Sequence, residues 1–140
     1  MKEFEIQVNN ENKKLTLASP STGDTDEWVR FSLKKTKEIA KLKKDTKAIL
    51  LEKKEITEAT DEKTANELIL SECVEKVMDI NAEMVLKRCD IILRLAKEKT
   101  YVLEDFKTKI AQSDRNAIFA WLDNEMGLAE NKKDKDFTKT

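Results

Sequence analysis

Phe4 to Leu17 reads FEIQVNNENKKLTL, and this stretch decides the fold because its pattern differs from that of every later segment of the chain. Phe4, Ile6 and Val8 alternate with polar residues, Asn9-Asn10-Glu11-Asn12 interrupts, and Leu15 and Leu17 resume the alternation. A period of two on either side of a polar break predicts an antiparallel hairpin. Two strands alone are marginal in water. The apolar side of FEIQV and KLTL is therefore expected to pack on helices. Its outer backbone edges should stay unpaired, open to strand addition from a second copy or a client.

The rest of the chain reads as helix. With 2 Gly and 1 Pro in 140 residues, it lacks the turn residues that a sandwich or barrel needs. Charged and hydrophobic residues stand at 39% each, as expected of amphipathic helices with solvated outer faces. The reading is a mainly α protein, a compact helical domain of four to five helices with a short N-terminal hairpin. Residues 1–127 form a single domain in this reading, and 128–140 a charged, disordered tail.

ASPSTGDTDE, with Pro20 and Gly23, is a loop, and the Asp24 to Glu27 spacing predicts a helix start near Thr25. On the wheel Trp28, Phe31, Ile39, Leu42, Thr46, Ile49 and Leu50 share a face. Lys35 falls within it and is expected to snorkel. The helix should fade in EKKEITEATDE, and a second can start at Thr60 or Asp61. There Ile69, Cys73, Val77 and Ile80 run beside Leu70, Val74 and Met78, a double row expected of a central helix touching several neighbours. Residues 61–98 read either as one long helix or, the preferred reading, as two joined at Asp79–Asn81 with Asn81 as a cap. Thr100 should cap a helix burying Leu103, Phe106 and Ile110. Ser113 should cap a last one carrying Ile118, Phe119, Trp121, Leu122 and Met126, which Gly127 ends.

The charge is unevenly placed. Residues 30–47 carry eight cations against two acids, and 52–79 carry nine acids against four cations. On the first helix Arg30, Lys34, Lys37, Lys41 and Lys44 form a basic face that could meet phosphates. Being almost all Lys, with no interleaved aromatic, it suits base readout and stacking poorly; the acidic stretch offers it an internal or intersubunit partner instead.

Histidine is absent, which removes the commonest general base and metal ligand. Cys73 and Cys89 lie in apolar helical patterns and read as buried thiols. Glu52 with Glu55, and Glu72 with Glu75, are spaced to share a helical face. A helical Mg²⁺-dependent nucleotide hydrolase through Glu72 and Glu75 would need further carboxylates on a facing helix, so solvated acids are the expectation. No phosphate loop, HExxH or serine–histidine pair occurs. No enzyme activity and no cofactor or metal are expected. Without a signal-peptide pattern or a long apolar run, the expected location is the cytoplasm.

IFAWL (Ile118 to Leu122) is apolar nearly all round, so either it is wedged between other helices as core or part of it awaits a partner. Phe119 and Trp121 point about 160° apart on the wheel and cannot face one neighbour. The candidate partner contacts are Phe119, Trp121 and Leu122, with Phe4 and Ile6 on the hairpin.

An F-x-I-x-V…K-x-L-x-L hairpin, then a charged loop, then a set of helices resembles the tail assembly chaperones of long-tailed bacteriophages. The resemblance is one of layout over residues 1–127, and no binding residue carries over with it. It implies a non-enzymatic protein that binds the long helical tape measure protein, keeps it soluble and helps tube subunits gather around it, in the host cytoplasm if phage-encoded. Self-association is a further expectation. The alternative function is a nucleic-acid-binding or regulatory protein acting through the basic face.

Overall fold

Val8 and Glu11 close a two-residue turn in which Asn9 (φ 53°) and Asn10 (φ 66°) are both left-handed. That is the type I′ geometry whose twist suits a hairpin, and asparagine tolerates it better than most residues. The turn sets the register of β1 (Lys2–Val8) against β2 (Glu11–Leu17), pairing Phe4 with Leu15 and Ile6 with Lys13. The structure, a computed structural model, describes residues Met1–Gly127. The expected tail, 128–140, lies outside the described residues.

After the hairpin come α1 (Thr22–Glu52), α2 (Glu62–Leu95), a short π-helical turn (Asp105–Lys109) and α3 (Gln112–Glu125). The mainly helical fold with an N-terminal hairpin is as the sequence predicts. The chain divides into two compact units. The first holds residues 1–28 and 86–127 and therefore both strands, the start of α1, the end of α2, the π turn and α3; the second is 29–85.

Several boundaries differ from the sequence reading, each for a local reason. Helix α1 starts three residues early because Ser21 caps it. The Asp24 amide donates to Ser21 Oγ at 3.1 Å, and the Ser21 amide donates to Asp24 Oδ2 at 2.9 Å. This is a capping box with Asp24 in the return position. Glu27, expected there, instead binds Lys87 at 2.9 Å and Arg94. Asp61 caps α2 as expected, accepting from the Thr64 amide at 3.1 Å. Of the two readings of this stretch the single helix is the one observed: the preferred break at Asp79–Asn81 does not occur, and α2 is continuous over 34 residues. No Gly or Pro interrupts that stretch. Leaving Asn81 solvent-exposed within a helix costs only about 0.7 kcal/mol, less than two new helix ends.

Downstream, Phe106 and Ile110 are buried as expected but Leu103 is exposed, and the helix shrinks to one π turn. Its end is dictated by the hairpin: Ile110 bridges to Val8 in extended geometry, and the Ala111 amide donates to the Gln7 carbonyl at 3.0 Å. Ala111, rather than Ser113, occupies the α3 N-cap. Gly127 (φ 76°) ends α3 in the left-handed conformation, its amide donating to the Asn124 carbonyl.

The first unit buries Ile6, Val8, Leu15 and Leu17 from the strands, Trp28 from α1, and Cys89, Ile91, Ile92 and Leu95 from α2. To these it adds Phe106 and Ile110, and Ile118, Phe119, Leu122 and Met126 around α3. The second unit has a thinner core of Leu50, Ile56, Ile69 and Cys73, with Leu42, Ala65 and Val77 packed against it.

Candidate protein-binding surfaces

In the second unit, α2 presents two parallel apolar rows, and only one is covered. Ile69 and Cys73 are buried, whereas Leu70, Val74 and Met78, at i, i+4 and i+8, are 45%, 41% and 63% exposed. A helix meeting one neighbour buries one stripe. The double row read from sequence as a central helix is wider than a two-helix unit can cover. That excess width was the signal for a binding face, and the sequence reading assigned it to the core. Beside Leu70, Asn66 and Ile69 lies an open trough of about 510 Å³, walled on the α1 side by Lys43, Lys44 and Lys47. An apolar row that ends beside a cationic wall can accept an amphipathic helix with acids on one flank.

Lys35 does not simply reach for water. Its side chain is 12% exposed, lies 5.4 Å from the Phe31 ring centre, and binds Glu38 at 3.0 Å and Glu83. Its hydrogen bonds to Glu83 and then Glu38 hold its ammonium above the ordinary lysine value. The α1–α2 pair is thus tied by a cation within the apolar sector.

Arg30, Lys34, Lys37, Lys41 and Lys44 are all exposed, and none forms an ion pair with a described residue. The basic face is not neutralised from within by the acidic stretch. Glu72 and Glu75 are exposed as well, and among the described residues no three His, Cys, Asp or Glu gather so as to hold a metal. Both cysteines are free and buried.

In the first unit the expected contacts are mostly core. Ile6 (1% exposed), Leu122 (0%) and Phe119 (9%) are buried, which corrects their reading as surface anchors. The divergence of Phe119 and Trp121 is real but used internally. Arg88 and Arg115 stack on the Phe119 ring at 5.6 and 5.8 Å, and Trp121 meets Phe4 edge to face at 6.1 Å. Phe4 and Trp121 remain half-exposed.

The hairpin edges are also less open than expected. On β1, the Asn9 amide donates to the Lys109 carbonyl and the Gln7 amide to Asp114 Oδ2. On β2, the Ala18 amide donates to the Leu95 carbonyl, the Lys97 amide to the Thr16 carbonyl, and the Thr16 amide to Glu98 Oε2. A short outward edge remains at Glu3 and Glu5, whose backbone groups alternate with those facing β2. Two acids on it discourage strand addition. No helix among the described residues is long and apolar enough to cross a membrane. Compared with known protein families, curated proteins and solved structures, the chain finds no match.

Proposed function

We propose that this chain is a non-enzymatic protein-interaction protein that holds an amphipathic helix of a client, in the manner of the phage tail assembly chaperones its layout resembles. One observation carries the reading: the exposed Leu70–Val74–Met78 row, whose Leu70 end opens onto the trough walled by Lys43, Lys44 and Lys47. Laid in that trough, a client helix removes its apolar face from water and sets acids against the lysines, which fixes its register. A long helical protein of the tape measure kind offers many such stretches, each insoluble on its own, and the encounter would take place in the cytoplasm. Co-expression tests this. The chain should raise the solubility of a tape measure fragment carrying an apolar stripe flanked by acids, and Val74→Glu should abolish the effect. No gain in solubility overturns the reading.

A second reading rests on the five exposed cations of the basic face, which form no ion pair with a described residue. Salt-sensitive retardation of DNA or RNA, lost when Lys34, Lys37 and Lys41 become Glu, would establish a nucleic-acid-binding protein in its place.

A further inference from the structure

We propose that a second copy of this chain covers the Leu70–Val74–Met78 row, the two α2 helices packing in parallel, row against row, about a two-fold axis that runs along them. This rests on reading the row as a helix-binding face and names the occupant that holds it until a client helix displaces it. The argument is charge placement. The trough beside the row has a wall of Lys43, Lys44 and Lys47, so its occupant must carry an apolar row with acids on one flank. Helix α2 is itself such a helix. At about 100° per residue, Val77 and Cys73 turn towards its own α1, while exposed Glu67 and Glu75 border the row on the flank turned away from it.

Parallel two-fold pairing places that far flank of each α2 beside the other copy's α1. Glu67 lies at the level of Asn66 and Leu70, where the trough lysines stand, so it meets Lys43 and Lys47 of the second copy. Antiparallel pairing about the same row would set Glu67 and Glu75 of both copies on one side, like against like. The copies do not repel as wholes, because residues 29–85 hold twelve cations and twelve acids. Unlike the basic face, whose cations form no ion pair with a described residue, this arrangement uses both halves of the charge split.

Sedimentation of the full chain over a concentration series tests the proposal. A concentration-dependent dimer is expected. Val74→Glu should leave a monomer with unchanged circular dichroism. Glu67→Lys should weaken the dimer about tenfold, two symmetric exposed pairs being lost, and adding Lys43→Glu with Lys47→Glu should restore it. A monomer at every concentration, a dimer indifferent to Val74→Glu, or a charge swap that restores nothing overturns it. A monomeric chain that still solubilises the client fragment sinks the dimer alone; a dimer that binds no client sinks the client reading alone.

Discussion

Glu98 holds Thr16 at two points, its carboxylate oxygens accepting from the Thr16 amide at 2.7 Å and from the Thr16 hydroxyl at 2.7 Å. The contact joins residues 82 apart in sequence and closes the β2 edge with a side chain where a third strand would otherwise supply a carbonyl. It ties the segment after α2 to the hairpin.

The first prediction concerns that pair. The Thr16 amide bond, foremost among the causes, holds the Glu98 carboxyl below the ordinary glutamate value. A group lowered on folding contributes stability that is complete above its unfolded value and lost as pH falls through the folded one. Glu98→Ala should cost about 1–2 kcal/mol near neutrality, since the buried Thr16 amide loses its acceptor. The deficit should shrink in urea melts run at progressively lower pH.

Arg88 lies between the rings of Trp28 (4.7 Å) and Phe119 (5.6 Å) and binds Asp123 at 3.1 Å, while Asp123 Oδ1 and Arg88 Nε are buried with no hydrogen-bond partner among the described residues. Burial pushes the Asp123 carboxyl up, with Arg88 opposing. Stability linked to this group therefore falls as pH rises from the ordinary aspartate value through the folded one, opposite in sign to Glu98. Arg88→Met alone should cost about 2–3 kcal/mol, and Arg88→Met with Asp123→Leu less than the two single costs added, because the double variant leaves no unpaired buried charge. Thermal denaturation of the cycle measures this.

Two left-handed positions are open to stabilisation. Lys54 (φ 61°) comes after α1 where its amide donates to the Leu51 carbonyl and the Glu55 amide to the Leu50 carbonyl, a Schellman ending normally made by glycine. Lys54→Gly and Asn10→Gly should each raise stability by about 0.5–1 kcal/mol, and Asn10→Val should lower it by about 1–2 kcal/mol, as read from denaturant midpoints.

Cys73 and Cys89 are buried, and burial pushes the Cys89 thiol up. Neither thiol should react with a disulfide reagent at neutral pH until the chain opens, and both should react together in denaturant. Labelling one without unfolding would show that its unit opens separately.

How much was legible in the sequence depends on the range over which each interaction acts. The hairpin came from side-chain alternation, the α2 start at Thr60 or Asp61 and the Gly127 ending from local backbone chemistry, and the helical stripes from a period of 3.6; the register, set by the two-residue Asn9-Asn10 turn in place of the four-residue break read from sequence, did not. Tertiary structure decided what a period cannot encode: which stripe finds a neighbour. Phe119 and Leu122 went to the core and Leu70, Val74 and Met78 to the surface, though their local patterns are alike. The Ser21-x-x-Asp24 capping box, by contrast, is local and was open to reading from its spacing, whereas the engagement of Glu27 by Lys87 and Arg94, some sixty residues away, was not. The π turn ended where the Val8 backbone met Ile110. Burial is settled by what else the folded chain brings near, and that information is spread along its whole length.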